Sequence, residues 1–285
     1  MPETPRRSVV GALAAVAVAL TGCAGSGTAG QRSTASAPST AAGSSAPSST
    51  PTPRLPSAAR TTPSPTTSAP VTRTAEPHIA ARPAATALPL HFPTGAADQV
   101  ITVTASSATS TTATVQAWSR VTGGWRRVGP AVAAFIGADG IGHASEQTTR
   151  TPSGSYTITQ AFGHDANPGT SLPYVHTTPD DWWISEAGRL YNTRQRCAAA
   201  CPFTTGPPNE PLYSTMPFYR YAVVIDYNTR NAPGGVRPGA GSAFFLHVEV
   251  GKPTEGCVAI PQDQLVRVLR WLSPARHPRI LLGVG

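Results

Sequence analysis

Short apolar and β-branched runs, each closed by turn residues, recur through the C-terminal part of the chain. Gln99 to Ala105, Thr112 to Ser119, Gly154 to Gln160, Tyr221 to Asp226, Ala243 to Val250 and Arg279 to Leu282 predict strands. In the fifth run, Phe244, Leu246, Val248 and Val250 alternate with Phe245, His247 and Glu249. A strand turns successive side chains to opposite faces, so His247 points away from the more apolar side. A turn is expected at Gly251, Lys252 and Pro253, after which Thr254-Glu255-Gly256-Cys257 leads into a helical pattern. That places the Cys257 thiol on a loop edge close to the strand carrying His247. One helix is clear: after Pro261, which suits a first helical turn, Leu265, Val268, Leu269 and Leu272 repeat at helical spacing until Ser273-Pro274. The pattern predicts a mainly β domain, antiparallel or mixed, with one helix packed over it after the cysteine.

The chain before residue 96 lacks this pattern. In residues 1–23, Arg6 and Arg7 precede an apolar run, Val9 to Leu20, too short to span a membrane. The run ends in Leu20-Thr21-Gly22-Cys23, which resembles a bacterial lipobox, with cleavage before Cys23 and lipid on its sulfur. The alternatives are a plain secretory signal or, from the paired arginines, twin-arginine export. Residues 24–95 are Ser, Thr, Ala and Pro with no aromatic before Phe92. Such a segment cannot bury enough apolar surface to offset its ordering entropy, so it is expected to be a disordered tether spanning on the order of 45 Å. Its Ser, Thr and Pro content permits O-glycosylation. Together these features predict an exported lipoprotein on the outer side of the bacterial cytoplasmic membrane, in the cell-wall zone.

Charge supports that division. The chain carries 22 basic and 14 acidic residues, net +8, but residues 96–285 hold 15 against 12, net +3, leaving +5 for the first 95 residues. On an exported chain a basic tail meets anionic envelope polymers or lipid headgroups rather than nucleic acid, or is simply solvated. No nucleic-acid partner and no obligate protein partner is inferred. The 190 residues from 96 to 285 suffice for one domain with a full core.

Four cysteines sharpen the chemistry. With Cys23 consumed by lipid, Cys197, Cys201 and Cys257 remain in an oxidising compartment, and three thiols cannot all pair. Cys197 and Cys201, separated by three alanines and followed by Pro202, are near enough for a local disulfide if the backbone there is not a regular helix. Cys257 is then the odd thiol. Alternatives are a bridge from Cys257 to Cys197 or Cys201, a metal at Cys197 and Cys201, which lacks its further ligands, or an inert buried Cys257. A thiol beside an imidazole is a nucleophile beside its base, with His247 taking the proton or forming an imidazolium-thiolate pair. Gly256 leaves room for substrate, backbone N–H groups around Gly256 and Cys257 face an oxyanion, and Thr254 orients the loop or is a simple turn residue.

His247, Thr254, Gly256, Cys257 and Val258 resemble the signature of the L,D-transpeptidase catalytic domain (YkuD-type) family, a strand histidine followed by Ser/Thr-x-Gly-Cys. The likeness extends through Arg150 to Tyr156, Tyr191-Asn192, Tyr219 to Ala222 and Tyr227-Asn228, covering roughly residues 96–285. It implies a mixed β-sandwich and a cysteine-dependent acyltransferase of cell-wall organisation and cell shape. It also implies peptidoglycan stem peptides as substrates, a thioester passed to an amine to give 3-3 cross-links, no metal or organic cofactor, and carbapenem-type inhibitors. Water as acceptor would make it an L,D-carboxypeptidase; a catalytically silent chain would be a peptidoglycan-binding lipoprotein. Three positions depart from the family pattern: the nine-residue spacer between His247 and Cys257 is short, Glu255 stands where histidine or lysine is frequent, and Ala259 where arginine is common. Tyr174, Trp182, Trp183, Tyr191, Tyr219 and Tyr221 are candidates for the groove, with core packing the alternative.

Overall fold

The computed structural model describes residues 85–213 and 217–285. The expected export segment, Cys23 and the expected tether up to residue 84 lie outside the described residues. Strands β1 (Gln99–Ala105), β2 (Thr112–Val121) and β3 (Gly124–Phe135) form an antiparallel meander. Eight short strands follow: β4 (Ile141–Gly142), β5 (Thr151–Pro152), β6 (Gly154–Thr157), β7 (Ala161–Gly163), β8 (Tyr174–His176), β9 (Asp181–Ile184), β10 (Thr193–Arg196) and β11 (Glu210–Pro211). A 3-10 turn at Pro217–Tyr219, β12 (Ala222–Val224), β13 (Phe245–Val248), β14 (Val258–Ile260), helix α1 (Gln262–Trp271), a second 3-10 turn at Pro274–Arg276 and β15 (Arg279–Val284) complete the order.

Ten strands make one sheet in the order β6-β15-β1-β2-β3-β14-β13-β12-β7-β8. It is mixed: β1 with β15, β13 with β14 and β7 with β8 run parallel, and the other neighbours are antiparallel. The sheet curls, so that Ile101, Val103 and Ile280 share one core with Val223, Leu246 and Val258 from the far half. Leu265 and Leu269 of α1 are wholly buried in that core. Over the described residues the fold is mainly β with one α-helix, sandwich-like, as the apolar pattern predicts.

The structure departs from the sequence reading in three places. First, Cys257 does not lead straight into the helix. Val258, Ala259 and Ile260 form β14, in parallel register with β13 as Leu246↔Val258, His247↔Ala259 and Val248↔Ile260, and α1 begins only at Gln262. A three-residue apolar run has no resolvable period, so strand and helix look alike there. Second, β3 is not evident from the pattern because much of it is exposed and Gly129-Pro130 interrupts it; it is held by its hairpin with β2. Third, the folded domain starts before residue 96. Thr86 and Trp125 exchange backbone hydrogen bonds of 2.8 and 2.9 Å, and Leu88, Leu90 and partly buried Phe92 cover Val100, Trp118 and Leu281 on the outer face of the sheet. Two leucines among prolines and alanines carry little weight in composition, but an apolar sheet face needs covering.

Candidate active site

Strand β13 sends Leu246 and Val248 into the main core and Phe245 and His247 to the other face. That face is covered too, by a second cluster containing Phe162, Trp183, Leu212, Tyr219 and Cys257. His247 is therefore only 7% exposed. Residues in register on parallel neighbours share a face, and Cys257 lies one residue before the pair Leu246↔Val258, opposite Phe245. The contact is direct: the Phe245 N–H donates to Cys257 Sγ at 3.3 Å, and the thiol donates to the Ala243 carbonyl at 3.3 Å. Cys257 is unbridged, while Cys197 and Cys201 form a disulfide with a Cα separation of 5.6 Å.

The loop before Cys257 is held by hydroxyls. Thr254 Oγ1 donates to the Cys257 carbonyl at 2.7 Å and accepts the Gly256 N–H at 3.2 Å, and Thr151 Oγ1 also reaches the Cys257 carbonyl at 3.4 Å. Thr254 thus fastens the loop. The Gly256 N–H, expected to face an oxyanion, is spent on that hydroxyl. Nor is the glycine there to admit substrate: φ is +120°, and a Cβ would lie 2.6 Å from Phe244 Cε1 and 3.0 Å from the Arg150 carbonyl oxygen. Backbone conformation and packing require glycine at this position.

His247 Nδ1 lies 2.8 Å from the Val248 carbonyl. A carbonyl only accepts, so Nδ1 carries the hydrogen and Nε2 keeps its lone pair. Burial pulls the imidazole down to about 4, only partly offset by the bond to Val248. Burial likewise pushes the Cys257 thiol up, with the Glu210 and Glu255 charges adding to it against the Phe245 N–H. Both groups therefore rest neutral, and of the two states considered from sequence, the imidazolium-thiolate pair is the disfavoured one.

His247, Cys257 and Thr254 line one cavity of about 570 Å³, the size of a small-molecule or peptide-end site. Its charged lining groups are Glu210, Glu255 and Lys252, and Ala259 lies in the wall. Of the aromatic candidates, Tyr219 lines it and Trp183 packs behind it; Tyr174, Trp182, Tyr191 and Tyr221 do not line it. Glu210 stands out among the residues not anticipated. Its Oε2 accepts the Tyr219 hydroxyl, and burial pushes the carboxyl up to about 7. Asn192 is the other: its Oδ1 accepts from the Trp183 indole at 2.8 Å and from the Ala243 N–H at 3.2 Å, so it anchors the residue whose carbonyl holds the thiol. Tyr191-Asn192 marked this position in the sequence, whereas Glu210 has no local motif.

No curated protein and no solved structure matches the chain. The family described as the L,D-transpeptidase catalytic domain (YkuD) does match, over residues 102–280, which spans β1 to the start of β15 and includes both His247 and Cys257. Since that match takes in more than half of the chain, the protein belongs to the L,D-transpeptidase catalytic domain family.

Proposed function

We propose that this protein is a cysteine-dependent L,D-transpeptidase that builds 3-3 cross-links between peptidoglycan stem peptides, with Cys257 as nucleophile and His247 as base. One observation carries the reading: the unbridged thiol and an imidazole with a free Nε2 lone pair line the same cavity from adjoining parallel elements. Because both groups rest neutral, His247 acts as a general base at the moment of attack. The thiol leaves the Ala243 carbonyl, its proton passes to His247 Nε2, and sulfur bonds to the donor amide carbon. The imidazolium returns that proton to the departing amine, leaving a thioester. An acceptor amine then attacks the thioester carbon, the C–S bond breaks, and the amine's proton travels through His247 to sulfur, restoring the thiol. The Cys23 lipid and the Ser/Thr/Pro-rich segment would hold this domain outside the membrane, within reach of the wall.

Intact-protein mass spectrometry tests the reading. Incubation with a tetrapeptide donor stem or a carbapenem should add a covalent mass at Cys257. Cys257→Ala should abolish it, and His247→Ala should slow it about 100-fold or more. A wild-type protein with a demonstrably reduced thiol that stays unmodified would refute it.

A further inference from the structure

Glu210 lies in the wall of this cavity without a cationic partner among the described residues. It sits on β11, paired to Trp183 of β9, and its carboxylate receives the hydroxyl of Tyr219, itself only 5% exposed. The Tyr219 ring meets the edges of His247 and Phe245, with centroids 5.7 and 5.6 Å away. The charges acting on Glu210 are of its own sign, from Glu255 and Glu146. Among the described residues, no arginine, lysine or histidine forms an ion pair with it. This carboxylate stands in an aromatic wall beside a nucleophile, with its neighbours repelling it, and Lys252, in the lining of the same cavity, forms no ion pair with it.

We propose that Glu210 receives the acceptor, binding the primary ammonium of the incoming amine and taking its first proton, so that the Cys257 thioester is resolved by an amine rather than by water. The inference rests on the reading of Cys257 as the acylated nucleophile. An alkyl amine is almost wholly protonated at neutral pH, with under about 0.1% as free base, and the cation cannot attack a carbonyl. Desolvation pulls the ammonium pKa down and pushes the carboxyl up, to about 7 before the amine arrives, which narrows the gap the proton must cross, while the attraction between the two charges opposes that narrowing. The Glu210 carboxylate becomes the acid and the ammonium becomes the free amine. Nitrogen attacks the thioester carbon, the C–S bond breaks, and a second N–H proton passes through His247 to sulfur. Glu210 then releases its proton to solvent. The ammonium also cancels the Glu210 charge that holds the thiol up, which makes sulfur a better leaving group at that step.

The full chain and its Glu210→Gln variant would be given a tetrapeptide donor and either 1,5-diaminopentane, cationic at neutral pH, or hydroxylamine, which is uncharged there. The variant should still accumulate the acyl-enzyme and still react with hydroxylamine, but lose amide formation with the diamine about 100-fold and release more hydrolysed donor. An equal loss with both acceptors, or no loss with either, would overturn the role of Glu210 while leaving Cys257 as nucleophile. Absence of any wild-type adduct would overturn the nucleophile and this inference with it. Tyr219→Phe offers a second measurement: it keeps the ring but removes the donor that stabilises the carboxylate, so the acid limb of amine transfer should move to higher pH. A limb that stays in place would refute the proposal.

Discussion

Lowering the pH from neutrality loads His247 and Glu210 in opposite senses. Burial brings the His247 imidazole down from an ordinary 6.5 to about 4. Between those values the unfolded chain holds a proton that the folded one does not, so the stability contributed by neutral His247 is complete above pH 6.5 and is lost as pH falls toward 4. Glu210 runs the other way. Burial raises its carboxyl from 4.5 to about 7, with Glu255 and Glu146 adding to the rise and the Tyr219 hydroxyl opposing it. Between those values the folded chain holds the proton and the unfolded one does not. Its stability is complete below pH 4.5 and is lost as pH rises toward 7. Each shift is worth about 3 kcal/mol, and the two slopes largely cancel between pH 4.5 and 6.5. Urea unfolding of wild type, His247→Gln and Glu210→Gln across this range would separate them, since other titrating carboxyls such as Asp226 and Asp181 drop out of each difference. The wild-type advantage over His247→Gln should shrink by about 3 kcal/mol as pH falls from 6.5 to 4. Glu210→Gln should gain about 3 kcal/mol on wild type as pH rises from 4.5 to 7. Differences that stay flat with pH would refute burial as the cause of the two shifts.

Two further substitutions probe the scaffold under the thiol. The Phe244 ring is wedged between Gly241 and Gly256, where added Cβ atoms would lie 3.0 and 2.6 Å from it, and it meets Tyr227 at 90°. Gly256→Ala should therefore cost about 2–4 kcal/mol and lower Tm by roughly 4–16 °C; a variant of wild-type stability that no longer acylates would return this glycine to a role in substrate access. Asn192→Ala severs the amide's bonds to the Trp183 indole, the Ala243 N–H and the carbonyls of Tyr227 and Asn228. It should cost about 3–5 kcal/mol in denaturant unfolding, and a loss below about 1 kcal/mol would show that this amide does not hold the loop.

The sequence alone delivered β1 to the residue, the start of β15 and the extent of α1, because each is written in a few consecutive positions, and it delivered the odd cysteine by a count of thiols. It delivered His247 and Cys257 as neighbours because a strand, a tight turn and a short loop leave few ways to separate them. It did not deliver their charge states. Those depend on what closes over the thiol: Tyr219 and Phe245 across one wall, and Glu210, brought in on β11 against β9 from a stretch with no motif. It likewise misjudged Gly256, whose neighbour Phe244 and whose contact at Arg150 meet it only once the sheet has curled. Strand and helix periods are properties of local backbone, readable along the chain. Desolvation, charge pairing and steric contact are sums over groups distant in sequence, so the protonation of this site was decided by the tertiary structure alone.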